Sequence, residues 1–332
     1  MNTTSQAHGC LAGVALGDAL GRATEFMTRA QIRSKFGWLD HFAAPMGAHP
    51  GHADPLGLIT DDTEQTLIVA RLLATREPLT AERVAAALVE SNRAHPSPYL
   101  GPSTRRALSR LEQGASPYET GTQGTTNGAA MRVAPIGIVH AGDCEAALRD
   151  AVAASTPTHN THNAMQAAAA VAFAVAEAMT SDTTLERIIA AGQEGARRGR
   201  EFGAWSWATP LEKRIELAVR FAYDAKNIED ALEPLYNFVG VGLDPAESVA
   251  TAFGVLAASQ GDPMTAIFAG VNIGGDTDTV AAIAGGICGA WRGIEHIDAR
   301  LLGEVERVNR LGLEQIAQGL IGDKEHPMSI QN

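Results

Sequence analysis

Two short runs of hydroxyls and carboxylates, one near each end of the chain, restrict how it can fold. They are Thr60-Asp61-Asp62-Thr63 and Gly274-Gly275-Asp276-Thr277-Asp278-Thr279. A helical pattern follows each, over 64–76 and 280–291, which places both runs at helix N-termini. Residues two apart inside a helix point about 200° away from each other, so Asp276 and Asp278 converge only from a turn. Asp and Thr are also favoured N-caps, and a carboxylate there gains about 0.3–1 kcal/mol from the helix dipole, so either run alone is explained as a cap. Two together, one behind a Gly-Gly pair that admits close backbone approach, point instead to oxygen ligands for a hard cation. If both runs build one site, the two ends of the chain must pack together, which favours a single domain over 1–332.

The remainder reads as helix after helix. The chain has 332 residues, 45% of them hydrophobic but only 5% aromatic, and its apolar segments are rich in Ala. Such segments favour close-packed helices over sheets, and the expected fold class is all-α. Helices are expected over 7–20, 63–76, 80–93, 103–113, 128–139, 145–154, 161–180, 184–199, 211–224, 245–259, 263–271, 279–291 and 299–320, parted by Pro and Gly breakers. No repeat of fixed period and no low-complexity linker divides them. The longest irregular stretch, 43–58, precedes Thr60 and reads as a plain surface loop or as a flap over the site.

A net charge of −12, from 26 basic against 38 acidic residues, disfavours a nucleic-acid partner, because the phosphate backbone rewards clustered Lys and Arg. Cys10, Cys144 and Cys288 are odd in number and far apart, which fits neither a disulfide framework nor zinc spacing. The N-terminal residues lack a basic segment leading into an apolar one. The Ala-rich stretch 167–178, interrupted by Glu177, is too short to span a bilayer. A cytoplasmic monomer with no membrane partner is therefore expected.

Asp61, Asp62, Asp276 and Asp278, with Thr60 and Thr279, offer enough oxygens for two hard cations. At an effective dielectric near 20, two like charges about 4 Å apart repel by roughly 4 kcal/mol, so four gathered carboxylates take up protons or bind metal. Gly13, Gly17 and Gly21 fall on one helical face and let a neighbouring helix approach closely, with Asp18 and Glu25 as acids in or just after that apolar segment. A buried acid there needs a metal or a helix N-terminus as partner; the alternative leaves Asp18 at a helix end and Glu25 in solvent. Asn127-Gly128-Ala129-Ala130-Met131-Arg132 opens another helix, whose free N–H groups suit a phosphate. Arg132 is a phosphate partner or, more commonly at such a place, half of a salt bridge. His159 and His162 stand in a Thr- and Asn-rich turn, and Trp205 and Trp207 in an irregular stretch over 201–210, where an indole either stacks on a base or anchors the loop.

In this order, Gly17-Asp18-Ala19-Leu20-Gly21 with Glu25, Thr60-Asp61-Asp62-Thr63, Asn127-Gly128-Ala129-Ala130-Met131-Arg132, Thr158-His159-Asn160 and Gly274-Gly275-Asp276-Thr277-Asp278-Thr279 resemble the ADP-ribosylglycohydrolase family, which includes the dinitrogenase-reductase-activating glycohydrolases. The resemblance implies a compact, roughly orthogonal multi-helix bundle around a binuclear Mg2+ centre, with Mn2+ as a substitute. Thr60, Asp61, Asp62, Asp276, Asp278 and Thr279 match the metal ligands. Glu25 matches the family's acidic residue beside the metals, a candidate general base or gate, and Asn127, Gly128, Met131 and His159 match substrate-binding positions; in the mechanism expected from this, Asp61 or Glu25 assists proton transfer. The implied activity is hydrolysis at the ribose anomeric carbon of ADP-ribosylated protein, arginine-linked, or of a free ADP-ribose conjugate. A nucleoside or small N-riboside hydrolase and a noncatalytic ligand-binding member are the alternatives. The leaving group is expected to be decided by 43–58, 97–104 and 201–210. Helical isoprenoid synthases also hold magnesium between Asp-rich helices, but their acids lie a full turn apart on one face, unlike these.

Overall fold

The N-terminal helix, Thr3–Gly21, is built of Ala, Leu, Val and Gly with hardly a polar side, and such a helix must be buried all round. Its glycines recur every fourth residue and form a stripe, against which the Thr277–Arg292 helix runs antiparallel. A Cβ on Gly9 would stand 2.5 Å from the Gly289 carbonyl oxygen, and one on Gly13 2.5 Å from the Gly285 carbonyl carbon. One on Gly17 would stand 2.6 Å from the Ala282 nitrogen, and one on Gly21 2.6 Å from the Asp278 nitrogen. Only a hydrogen atom fits at these places, so the two helices meet backbone to backbone in a single register. That register carries Asp278 to the C-terminal end of the first helix, where Arg22 to Glu25 follow.

The computed structural model describes residues 3–46 and 51–322, and among these there are seventeen α-helices and no strand, only an isolated bridge between Thr161 and Ala204. The bundle closes around the central pair. The buried Ala-rich helix His162–Ala178 packs antiparallel on Leu185–Gly199 through Gly195 against Ala169 and Gly199 against Met165, the same small-residue device at a second place. Phe173 and Phe253 supply bulk that Ala cannot. No helix among the described residues is long and apolar enough to cross a membrane. Cys10 and Cys288 are buried, and burial pushes both thiols up to about 12.

Several elements differ from the sequence expectation. The helix expected over 128–139 is a 3-10 turn, Asn127–Arg132, followed by the α-helix Ala134–Val139, because Pro135 lacks an N–H and suits only a first turn. The helix expected over 299–320 is broken after Asn309, where Arg310 and Gly312 take φ of 54° and 67°. Arg29–Phe36 was legible in a capping box, Thr28 with Gln31, and Ile228–Pro234 in its Asn227 cap. The two acidic helices begin at Asp61 and Thr277, two residues earlier than the apolar pattern indicates, so Asp61, Asp62 and Asp278 lie in the first turn.

Candidate active site

Asp18 joins the first helix to the Thr60–Thr63 run. It is fully buried on the first helix and caps the Asp61–Ala74 helix from outside. Its carboxylate accepts from the Thr60 and Thr63 N–H groups at 3.0 and 3.1 Å and from their hydroxyls at 2.8 and 2.5 Å. Burial raises the Asp18 pKa and these hydrogen bonds oppose the rise. Of the two sequence readings for Asp18, the helix-end partner is the one realised. The clamp fixes the first turn that carries Asp61 and Asp62.

Asp276 occupies an N-cap position but makes no cap hydrogen bond. Its carboxylate is aimed instead at Asn127, whose side-chain amide donates to it at 2.5 Å and to the Ser248 hydroxyl at 3.0 Å. The loop after the first helix and the Gly-Gly turn before Asp276 are stitched together: Phe26 N–H donates to the Gly275 carbonyl and Gly275 N–H to the Met27 carbonyl, each at 2.8 Å. This bracket brings Glu25 to Asp276 and Asp278, with one carboxylate oxygen of each within 4.8 Å of the others. It also holds Phe26 at φ 59°, a left-handed conformation that costs a non-glycine residue on the order of 1 kcal/mol.

Glu25, Asp61, Asp62, Asp276, Asp278 and Thr279 line one cavity of about 230 Å³ together with Asn127, Gly128 and Met131. Burial, then the charges of Asp18 and Glu64, raise Asp61 to about 7; burial, then Glu25, raise Asp276 to about 7. Burial and the charges of neighbouring carboxylates push Asp62 and Asp278 well above the carboxylate range. One Asp62 oxygen, Oδ2, is buried with no hydrogen-bond partner. An orphaned buried carboxylate oxygen, a cap residue that does not cap, and three carboxylates converging on one point fit a hard divalent cation.

Two of the expected site residues stand behind the cavity wall. The Thr60 hydroxyl is the cap of its own helix, accepting from Asp62 N–H at 3.4 Å while donating to Asp18. His159 is fully buried beneath Gly128, with Nε2 2.9 Å from the Thr126 hydroxyl and Nδ1 2.7 Å from that of Thr158. Burial and the charges of Arg132 and Arg106 hold its pKa well below the usual histidine range, so it is neutral. Arg132 does not line the cavity and forms no ion pair among the described residues. It is buried, donates to Gln65 at 2.5 Å and to Thr158, and burial lowers it to about 10. Gln65 in turn donates to Asp61 at 3.1 Å, a contact legible in the i, i+4 spacing.

Residues 98–102, with Thr104 and Arg105, form the remaining wall, close to the 97–104 segment singled out from the sequence. The 43–58 loop does not border this cavity among its described residues; 47–50 lie outside them. Asp54 and Leu58 edge a neighbouring hollow of about 580 Å³, separated by Pro98 and Tyr99, which line both. Arg22 ties this loop down through Asp54, Tyr99 and the Pro55 carbonyl. Trp205 and Trp207 pack edge to face at 5.3 Å, both largely exposed and outside the cavity lining. Phe26 and Leu243 line the cavity without having been marked by sequence pattern, whereas Tyr99 falls in the 97–104 segment.

The sequence profile described as ADP-ribosylglycohydrolase matches residues 1–328. The chain is 33% identical over 327 residues to an uncharacterized Escherichia coli K12 protein, YegU, covering 96% of each. It is 27% identical to the ADP-ribosyl-[dinitrogen reductase] glycohydrolase of Rhodospirillum rubrum, over 91% of this chain and 90% of that one. A solved structure described as an ADP-ribosylglycohydrolase-related protein complex shares the fold, with TM-score 0.70, 24% identity, and 96% and 97% of the two chains covered. A full-length profile match and relatives aligned end to end place this chain in the ADP-ribosylglycohydrolase family.

Proposed function

We propose that the protein is a metal-dependent hydrolase that cleaves the glycosidic bond at the ribose anomeric carbon of an ADP-ribosylated substrate. The observation that carries the reading is the convergence of Glu25, Asp276 and Asp278 in the cavity that Asp61 and Asp62 also line. Asp61, Asp62, Asp276, Asp278 and Thr279, with Thr60 at the base of the same turn, are the residues that would hold two Mg2+ ions, or Mn2+. When bound, such ions supply positive charge that orients ribose hydroxyls and makes a nearby water more acidic.

The chain's own residues do the rest. Glu25 stands half-buried at the cavity wall and is the candidate to take the proton of the attacking water, with Asp61 as the second candidate. Asn127 holds the Asp276 carboxylate in place, and Gly128, where a Cβ would stand 2.8 Å from the His159 ring, lets that ring support the cavity wall from behind. The wall 98–102 restricts the approach of water from one side.

The similarity to a glycohydrolase acting on dinitrogen reductase favours a modified protein as substrate, and that to an ADP-ribosylarginine hydrolase of Serratia proteamaculans, 26% identical over 314 residues, favours arginine as the leaving side chain. A small N-riboside is the second reading, favoured by the modest cavity of about 230 Å³. The deciding experiment measures ADP-ribose release from an arginine-modified protein, and cleavage of free ribosides, each with magnesium and with chelator. Magnesium-dependent release from the protein supports the first reading. Cleavage of ribosides alone moves the function to nucleoside hydrolysis, and no cleavage of either refutes catalysis. Asp62→Asn should abolish the magnesium-dependent rate, and full activity of that variant in chelator would refute the assigned ligands.

A further inference from the structure

Five described residues other than glycine hold a left-handed backbone: Phe26, Arg76, Asp182, Gln260 and Arg310. Four are polar and lie on the surface, whereas Phe26 alone is apolar and alone lines the acidic cavity. The main-chain bracket to Gly275 explains the turn but not the side chain. Any residue can make those two hydrogen bonds, and glycine would adopt φ 59° without strain. Burial does not explain the ring either, because Phe26 is 63% exposed. An aromatic ring is thus held at a conformational cost, unburied, one residue from Glu25, on the wall of a cavity that also carries Asp276 and Asp278.

We propose that the Phe26 ring is the platform for the leaving group and selects a planar, delocalised cation of the guanidinium type. This rests on the hydrolase reading above and deepens it. The face of a phenyl ring carries negative potential and attracts a flat cation laid upon it, most strongly where water is excluded. Glu25, adjacent in the chain, adds negative charge at the same wall. An alcohol leaving group, tetrahedral and neutral, gains little from the ring. Phe26 is therefore a specificity-determining residue that lowers KM for guanidine-linked substrates.

The test compares ADP-ribose linked to agmatine with ADP-ribose linked to a serine peptide, in magnesium, for the wild type, Phe26→Asn and Phe26→Tyr. Asn tolerates the left-handed backbone and removes the ring, so the fold is retained. The expected result is a rise in KM on the agmatine conjugate of about 3–30-fold in Phe26→Asn, the range a cation–π contact supports. Guanidine-over-serine selectivity should fall by a similar factor, and Phe26→Tyr should restore both. Unchanged selectivity, a loss confined to kcat, or a wild type that cleaves only the serine conjugate would overturn the proposal. A wild type that cleaves neither refutes the hydrolase reading, and the ring is then judged by calorimetric titration with agmatine. Weaker binding to Phe26→Asn than to the wild type supports the platform; equal binding overturns it.

Discussion

Replacing Gly17 by Ala adds one methyl group at the contact that aligns the two metal-side helices. The new Cβ would stand 2.6 Å from the Ala282 nitrogen, and nearer still to the Ala281 carbonyl, both main-chain atoms that cannot rotate away. Nonbonded carbon contacts settle at about 3.5 Å or more, so the helices must part by roughly 1 Å. Such overpacking costs about 1–3 kcal/mol, against a gain of about 1 kcal/mol in helix propensity from Gly to Ala. The net expectation is a loss of up to about 2 kcal/mol, a few degrees in Tm for a chain of this size. The same displacement moves Asp278 and the Glu25 loop relative to Asp61 and Asp62, so magnesium affinity should fall by a larger factor than stability alone implies.

Gly303→Ala is the control, because a Cβ at that exposed helical glycine meets nothing within 4 Å. There the same substitution should stabilise by about 0.4–1 kcal/mol. Both variants would be melted with and without magnesium, and magnesium binding would be titrated by calorimetry. If Gly17→Ala matched Gly303→Ala in both stability and magnesium affinity, the claim that backbone contact sets the geometry of the centre would be wrong.

Other perturbations act on the carboxylates themselves. Asp61 and Asp276 have folded pKa values of about 7, above the ordinary 3.8, so the folded protein binds protons that the unfolded chain releases. Their contribution is fully present below about pH 4 and is lost as pH rises through about 7. Chelator-treated protein should therefore lose on the order of 5 °C in Tm between pH 5 and pH 8, with magnesium restoring most of it at pH 8; a flat profile would contradict the clustered-charge account. Asp18→Ala strands the Thr60 and Thr63 donors at a buried helix start and should destabilise by about 2–4 kcal/mol in urea unfolding; a loss under 1 kcal/mol would show that water replaces the clamp.

Much of the architecture was written in local pattern. Ala-rich, aromatic-poor segments between Pro and Gly breakers determined an all-α chain, and Thr and Asp caps located most helix starts, because helix formation and capping depend on near neighbours. The two acidic runs, read as helix N-termini, are where the chain alone placed them. The breaks at Pro135 and Arg310 could also have been read from sequence, the first more readily than the second.

Sequence could not decide which acids meet. A four-residue glycine spacing states that some helix approaches closely, whereas only the tertiary structure shows that Thr277–Arg292 is that helix and that Gly21 meets Asp278. The fates of Asp18, Arg132 and His159 were equally open, since a side chain's role depends on what distant segments place beside it. Asp18 became a clamp between the first helix and the Thr60–Thr63 turn, Arg132 a buried brace and His159 a neutral support beneath Gly128. Phe26 carried no pattern at all, because its conformation is imposed by a loop about 250 residues away, and contacts of that sequence separation leave no local trace.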